Sequence, residues 1–247
     1  MRSVLVLVVL AACSTSKSDG RAVRIAAASD LTRAFTELGK EFESRTGIRV
    51  KLTFGSSGLL STQIVEGAPF FLFAAANRDF VTKVVAAGKC DGSTAQGYGR
   101  GRVVVWTAKD VLAPAKLADL AEPRYKRIAI ANPEHAPYGT AAKQALQKVG
   151  LWSLIESRVV YAENIQTTMQ YARDGNADAA LIALSLAVVS DGGAYLPIDP
   201  SLHAPLDQQL VVCGNGPEAD AARQFADFVS SRDGREVMTR YGFVMPQ

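Results

Sequence analysis

Short apolar runs rich in β-formers alternate with helix-forming segments along most of the chain, and this alternation constrains the fold more than any other feature. In the first helical segment, Leu31, Phe35, Leu38 and Phe42 recur at helix spacing, and Gly47 follows as a stop signal. Strands that alternate with helices predict an α/β fold whose sheets are mostly parallel and covered by helices on both faces. The predicted strands are 23–28, 50–54, 70–76, 103–107, 127–131, 159–162 and 179–183, and the later predicted helices are 59–66, 77–87, 140–149 and 165–173.

Two extended stretches, 97–107 and 206–214, have the character of crossings between two lobes. A chain that crosses twice has a first lobe of residues 21–102 with 208–247, a second lobe of residues 103–207, and a cleft between them. The length of the chain and its 48% of apolar residues are sufficient for two cores of ordinary size.

The amino terminus carries an export signal, which occupies residues 1–20 together with a tether. Arg2 supplies a positive charge, residues 4–10 form an apolar run too short to span a bilayer, and Cys13 follows small residues. This arrangement resembles a bacterial lipoprotein signal, in which the peptide is cut before Cys13 and that cysteine receives the lipid. Residues 14–20 then form a flexible polar tether; the alternative is an ordinary secretory signal with an incidental cysteine. In either case we expect an exported protein in the periplasm or at the cell surface, anchored to the membrane if the lipid is attached.

Two cysteines, Cys90 and Cys213, remain once Cys13 is assigned to the lipid. We expect them to form a disulfide, because an exported protein folds in a compartment that permits one; the alternative is two separate buried thiols. The two histidines, His135 and His203, have no ligand spacing to a cysteine, so no protein metal site is expected. Each histidine lies beside a proline turn, where a solvated or capping role is predicted.

The charges of the chain are nearly balanced, with 27 basic and 24 acidic residues and a formal net charge of +3. No run of Lys or Arg could follow a nucleic acid backbone, so nucleic acid is not an expected partner. After the amino-terminal signal, the sequence has no second apolar segment that predicts a membrane span.

Two strands end in turns of small residues that open a helix: Ser29 and Asp30 follow the first strand, and residues 55–58 follow the second. A helix start presents unpaired N–H groups and the positive end of the helix dipole, so a serine there adds a hydroxyl donor to an oxyanion site. Because neither turn contains Lys or Arg, the pattern favours a small dehydrated anion over a phosphate chain. The alternative is that Ser29 and Ser57 only cap their helices. Asp30 would repel a dianion if it pointed inward, so we expect it to complete the first helical turn.

Several separate motifs occur in a recognisable order and spacing. They are AAAS at 26–29, FGSSG at 54–58, EGAPF at 66–70, AIANP at 129–133, HAPYG at 135–139, AENI at 162–165 and ALS at 183–185. Together they resemble the periplasmic molybdate-binding proteins of ABC transporters. The resemblance extends from about residue 23 to the closing RYGF at 240–243, which is nearly the whole mature chain.

The resemblance implies a two-lobed fold of the type II periplasmic-binding class, which closes on one tetrahedral oxyanion in the cleft. Carried over motif by motif, it implies hydroxyl and backbone donors from Ser29 and Ser57 in the first lobe and backbone N–H groups from Tyr138 and Ile165 in the second. The expected ligand is molybdate or tungstate, so molybdenum enters only within the oxyanion and no cofactor is expected. The expected partner is an ABC permease of the inner membrane, and we expect a monomer that binds without catalysis.

Three positions depart from the family pattern. Ala183 stands where some members carry a tyrosine that contacts the anion, and Phe71 and Ala75 stand where the family usually has Asp and Ser. Two interpretations of Phe71 remain open: it disturbs the cleft, or it packs into a neighbouring layer.

Three other functions are compatible with parts of the pattern. The first is a receptor for sulfate, phosphate or an organic anion, although phosphate requires an acceptor for its own proton and no carboxylate in the four turns clearly serves. The second is a hydrolase with Ser57 as nucleophile, but residues 55–58 are not a G-x-S-x-G elbow and neither histidine has an evident Asp partner. The third is the effector lobe of a transcription regulator, against which the export signal and the lack of a helix-turn-helix segment argue.

Overall fold

The computed structural model describes residues 22–245, which form two five-stranded sheets flanked by helices. Residues 1–20, with the expected signal peptide, the lipidation site Cys13 and the tether, lie outside the described residues. Within the described part of the chain, no helix is both long enough and apolar enough to cross a membrane.

Strands and helices alternate along the described residues as the sequence predicts. The strands are β1 Ala22–Ala28, β2 Arg49–Gly55, β3 Leu72–Ala75, β4 Gln96–Gly101, β5 Val103–Ala108, β6 Ile128–Ala131, β7 Val159–Ala162, β8 Ala179–Ala183, β9 Gly193–Pro197 and β10 Leu206–Val212. The α-helices are α1 Thr32–Thr46, α2 Ser57–Val65, α3 Arg78–Ala86, α4 Pro137–Lys148, α5 Trp152–Ile155, α6 Ile165–Arg173, α7 Leu184–Ala187, α8 Pro217–Ser230 and α9 Arg232–Arg240.

Each sheet has a core of three parallel strands. In the first sheet β1 pairs in parallel with β2 and β3, and in the second β6 pairs in parallel with β7 and β8. The strand orders are β2-β1-β3-β10-β4 and β7-β6-β8-β5-β9, so the two sheets share one arrangement. The first sheet with its helices is called the first lobe below, and the second sheet with its helices the second lobe. The predicted two-lobed α/β architecture is confirmed, with antiparallel strands added to the parallel cores.

The chain passes between the two sheets at two places. β4 ends at Gly101 in the first sheet and β5 begins at Val103 in the second, so Arg102 alone separates them. The chain leaves the second sheet after β9 and re-enters the first through β10, which begins at Leu206. Both β5 and β10 run antiparallel to their neighbours, and they therefore account for the antiparallel part of each sheet.

Aromatic side chains fill much of the core of the first lobe. Helix α1 carries Phe35 and Phe42 on one face, as their spacing predicts, and both rings pack edge-to-face on Phe225 of α8. The ring centroids are 5.5 and 5.3 Å apart. In the second lobe, Trp106 and Trp152 are buried in the core, which is the role their apolar surroundings predict.

The short helices α5 and α7 were not predicted, and α4 and β9 also differ from the sequence prediction. Helix α4 begins at Pro137 and not at residue 140, because proline suits the first helical position, where its fixed φ fits and its missing N–H has no helical partner. Strand β9 was not predicted. It is an edge strand that pairs with β5 and is largely exposed, so its sequence lacks the apolar run of a buried strand.

The expected disulfide between Cys90 and Cys213 is present, with the two Cα atoms 3.8 Å apart. Cys213 directly follows β10, and Cys90 lies shortly after the end of α3. The bond therefore fastens the returning strand to the loop after a first-lobe helix, and the alternative of two separate buried thiols is wrong.

Candidate functional site

A small cavity lies between the two lobes, where strands end and helices begin, and the space open to the centre of a water-sized sphere is about 10 Å³. All four residues predicted to bind an anion line it: Ser29 and Ser57 from the first lobe, and Tyr138 and Ile165 from the second. The other lining residues are Ala28, Asp30, Gly55, Ser56, Ala76, Ala136 and Pro137. The fold thus brings together four residues that are far apart in the sequence, and their role as ligands stays a prediction.

The helix after β2 begins at Ser57, but the serine before it is the cap. Ser56 Oγ accepts a hydrogen bond from the N–H of Leu59 at 3.4 Å, which is the usual contact of an N-cap. Ser57 Oγ accepts instead from the N–H of Ala76 at 2.9 Å. A hydroxyl that accepts in this way can still donate its own hydrogen, so Ser57 can act as a donor toward the cavity.

Ser29 directly follows β1 and opens a short 3-10 helix, Ser29–Leu31. The cap position before that helix is held by Ala28, which has no side-chain oxygen, so Ser29 is not a capping residue either. Its carbonyl oxygen accepts from the N–H and the hydroxyl of Thr32, which fixes the turn. Ser29 is buried, and only 3% of its surface is exposed.

The second lobe contributes two helix starts. Pro137 is the first residue of α4 and has no N–H, so Tyr138 carries the first N–H group of that helix. Ile165 is the first residue of α6, and the cap of this helix is Asn164. Asn164 Oδ1 accepts from the N–H groups of Gln166 and Thr167, both at 3.0 Å, and this cap does not use the N–H of Ile165. These first N–H groups lie at the positive ends of the helix dipoles.

The cavity lining is neutral apart from one carboxyl group. The lining residues named above include no Lys, Arg or His, and Asp30 is the one carboxylate among them. Across residues 22–245, no group of His, Cys, Asp and Glu side chains is arranged to hold a metal ion directly. The chemistry that the cavity offers is therefore hydrogen-bond donation from hydroxyl and backbone N–H groups.

Asp30 lies in the first helical turn, but its carboxylate is engaged in a way that the sequence did not predict. Oδ2 accepts hydrogen bonds from Tyr138 Oη at 3.0 Å and from Gln208 Nε2 at 2.6 Å, whereas Oδ1 has no partner among the described residues. Burial raises the pKa of Asp30 from 3.8 to about 6, although the hydrogen bonds from Gln208 and Tyr138 lower it. Asp30 thus lies in the first helical turn, as expected, and its carboxylate also joins the two lobes through Tyr138.

Further hydrogen bonds join the two lobes, so the structure is a closed form. Ser185 Oγ donates to the carbonyl of Asp30 at 2.8 Å, and Thr32 Oγ1 donates to Gln166 Oε1 at 3.1 Å. His135 of the second lobe contacts the first through its ring, since Nδ1 lies 2.8 Å from Ser56 Oγ. His135, for which a solvated or capping role was predicted, is half-buried, and its ring contacts a serine 79 positions earlier in the sequence.

The structure shows the surroundings of the three residues that depart from the family pattern. Phe71 is not in the cavity lining; it packs against the core of the first lobe, with the Arg24 guanidinium 5.5 Å from its ring centroid. Ala75 is buried in β3, and its carbonyl accepts from Tyr98 Oη at 3.0 Å. Ala183 ends β8 and precedes α7. The packing interpretation of Phe71 agrees with its position.

Two lobes joined by short crossing strands, with a small cavity between them that serines and helix starts line, define a receptor that encloses a solute. The chain belongs to the bacterial extracellular solute-binding proteins, because the profile of that family matches residues 23–244.

Particular relatives agree with this membership. The molybdate-binding protein ModA of Rhodobacter capsulatus is 32% identical over 219 residues, which cover 89% of this chain and 86% of the relative. ModA of Azotobacter vinelandii is also 32% identical, over 95% of this chain and 93% of the relative. The solved structure of the periplasmic molybdate-binding protein of Azotobacter vinelandii superposes with a TM-score of 0.85 at 28% identity, covering 91% of this chain and all of that one.

Proposed function

We propose that this protein captures molybdate or tungstate between its two lobes and delivers the anion to an ABC permease. The observation that carries the proposal is the convergence of Ser29, Ser57, Tyr138 and Ile165 on one cavity between the lobes whose lining has no cationic side chain. The names of the curated relatives, which are molybdate-binding proteins, support the choice of anion.

The donor set suits a doubly charged oxyanion that carries no proton. Hydroxyl groups come from Ser29 and Ser57, and backbone N–H groups come from the helix starts at Tyr138 and Ile165. Each hydrogen bond to an ionised acceptor is stronger than one between neutral groups, so several donors can replace the water that the anion loses. The longer metal–oxygen bonds of molybdate and tungstate need a wider cage than sulfate, and a rigid donor set can reject the smaller anion through unmade hydrogen bonds.

The proposed organisation follows from the export signal and the two crossings. Residues 21–102 with 208–247 form the first lobe, and residues 103–207 form the second. Cys13 carries a lipid that holds the receptor at the membrane, where the permease is its partner. The protein acts as a monomer, uses no cofactor and catalyses no reaction.

Phosphate is the second candidate ligand, and one observation favours it. A hydrogen phosphate needs an acceptor for its own proton, and Asp30 both lines the cavity and has a carboxylate oxygen without a partner among the described residues. No carboxylate in the four turns was expected to serve this purpose from the sequence. Asp30 is therefore the residue on which the choice between the two anion classes depends.

A serine hydrolase is less well supported. The serine beside a histidine is Ser56 and not Ser57, and within residues 22–245 no carboxylate is hydrogen bonded to the His135 ring. The Ser56–His135 pair thus lacks the third group that orients the base in a catalytic triad.

Thermal unfolding of the mature domain tests the proposal. The domain is titrated separately with molybdate, tungstate, sulfate and phosphate, and a ligand at a thousand times its dissociation constant stabilises the native state by about 4 kcal/mol. We expect molybdate and tungstate to raise the Tm while sulfate and phosphate do not. A response to phosphate alone would establish the second candidate, and a response to none of the four anions would refute both.

A further inference from the structure

The turn before α4 contacts the first lobe through both the backbone and the ring of His135. The N–H of Gly58 donates to the carbonyl oxygen of His135 at 2.9 Å, and Ser56 Oγ lies 2.8 Å from His135 Nδ1. Ser56 Oγ already accepts from the N–H of Leu59, so its own hydrogen is free to reach the ring nitrogen. His135 of the second lobe therefore contacts two groups at the start of α2, the Ser56 hydroxyl and the Gly58 N–H.

The backbones approach so closely at this contact that a side chain at Gly58 has no room. A Cβ atom added there would lie 2.7 Å from both the Cβ atom and the carbonyl oxygen of His135, and 2.8 Å from its Cα atom. Two of these atoms belong to the backbone and cannot turn away. The obstruction exists only when the lobes are closed, since every atom that the added Cβ atom would meet belongs to the second lobe.

The same turn also sets the position of a proposed anion donor. The N–H groups of His135 and Ala136 both donate to the carbonyl of Asn132, and Thr140 Oγ1 donates to the carbonyl of Pro133. These bonds make residues 132–140 one compact unit that includes the start of α4. A contact that holds His135 against the first lobe therefore also holds the N–H of Tyr138 at a fixed position relative to Ser57.

We propose that His135 is a positioning residue for anion capture, and that the absence of a side chain at Gly58 is what allows it to dock. Docking of His135 on the Ser56–Gly58 turn closes the lobes and brings the Tyr138 donor to the anion held by Ser57. This inference rests on the proposed function, because it assigns the closing contact of that same site.

The decisive experiment compares the Gly58→Ala variant with wild type. Gly58 lies inside α2 and does not have a positive φ, so alanine favours the helix and the Tm without ligand stays equal or rises. Closure on the anion is obstructed, so we expect the affinity for molybdate, measured by isothermal titration, to fall roughly 10- to 100-fold. We also expect the decrease in radius of gyration that molybdate causes in wild type, measured by small-angle X-ray scattering, to be lost.

Gly39→Ala is the matched control. Gly39 is also a helical glycine of the first lobe, but a Cβ atom there would meet its nearest neighbours in Val50 and Leu52 at 3.5 Å or more, which is ordinary contact. This variant should bind molybdate and become compact as wild type does. A similar loss of affinity in Gly39→Ala would show that a buried helical methyl group alone causes the effect, which would overturn the inference.

Substitutions of His135 test the ring separately. We expect His135→Ala to weaken binding several-fold, about the value of one hydrogen bond, and His135→Asn to restore it because the amide can reach Ser56 Oγ. Unchanged affinity in both Gly58→Ala and His135→Ala would overturn the inference and leave the proposed function intact. Failure of wild type to bind molybdate would overturn the proposed function, and the inference with it.

Discussion

Asp30 of the first lobe and Tyr138 of the second are hydrogen bonded across the cleft, with 3.0 Å between Oδ2 and Oη. Gln208, on the strand that returns from the second lobe, donates to the same carboxylate oxygen and also lies 3.0 Å from Tyr138 Oη. Burial and the charge of Asp30 raise the pKa of Tyr138 well above its ordinary value, so the phenol keeps its hydrogen and remains the donor. A carboxyl group is thus buried at the junction of both lobes and a crossing strand.

The buried carboxyl of Asp30 should give the folded protein a measurable pH dependence. Its pKa is about 6 in the folded protein against 3.8 ordinarily, so the folded state binds this proton more tightly than the unfolded chain. The stabilisation of the folded state by the protonated Asp30 carboxyl is fully present below pH 3.8 and is lost as the pH rises through about 6. At 1.36 kcal/mol per pKa unit, the loss is about 3 kcal/mol.

Urea denaturation of wild type and Asp30→Asn across that pH range measures this contribution. The free energy of unfolding of wild type, taken relative to the variant, should fall by about 3 kcal/mol between the acidic and the neutral end of the range. Other carboxyl groups, such as Asp91 and Asp199, have lowered pKa values, so their contribution to stability changes with pH in the opposite direction. Because both proteins contain these groups, their contribution cancels in the difference. A constant difference between the two proteins would contradict the prediction.

Gly101 should be intolerant of any side chain. A Cβ atom there would lie 2.1 Å from Tyr138 Oη and 2.8 Å from Gln208 Nε2, within the Asp30 cluster. We expect Gly101→Ala to displace Tyr138 and destabilise the folded protein by about 1–3 kcal/mol, the usual cost of overpacking. The measurement is chemical denaturation, with Gly39→Ala as the control; a variant as stable as wild type would show that Tyr138 moves aside freely.

The two serines of the site should differ in how their loss affects the unliganded protein. Each charge-assisted hydrogen bond to the anion contributes about 1.5–3 kcal/mol, so Ser29→Ala and Ser57→Ala should each weaken molybdate binding roughly 10- to 100-fold. Only Ser57→Ala also leaves the buried N–H of Ala76 without its acceptor, which should lower stability without ligand by about 1–3 kcal/mol. Titration calorimetry and thermal unfolding without anion separate the two effects, and equal Tm values for the two variants would refute the distinction.

Removal of the disulfide should have a large effect on stability. Cys90 and Cys213 are 123 positions apart, and the chain-entropy estimate for a loop of that length is about 5 kcal/mol. We expect the Cys90→Ala, Cys213→Ala double variant to unfold at a much lower denaturant concentration than wild type. Wild type treated with a reductant should approach the midpoint of the variant, and the variant itself should not respond to the reductant.

Local sequence signals predicted most of the elements, and the family resemblance added Tyr138 and Ile165 to Ser29 and Ser57 as candidate ligands; all four residues lie at helix starts. Helix α6 shows why: Asn164 is a good cap, the apolar face has helix spacing, and both signals lie within the segment itself. The same local reasoning located strands β7 and β8 from their short apolar runs.

The contacts between lobes could not be predicted in this way. Asp30 and Tyr138 are 108 positions apart, and Ser56 and His135 are 79 apart, so no pattern within one segment relates them. Their partners depend on how the lobes close, which is a property of the whole fold. The edge strand β9 was missed for a related reason, because its pairing with β5 and not its own hydrophobicity makes it a strand.

The disulfide has a further consequence for how the protein responds to damage. All the strands of the second sheet, from β5 to β9, lie between Cys90 and Cys213, so the bond makes that part of the chain a covalent ring. A protease that cuts one exposed loop within the ring opens it without releasing a fragment. The cleaved protein therefore remains a single molecule on a non-reducing gel and separates into two pieces only after reduction, because the disulfide still joins the two fragments covalently after the backbone is cut.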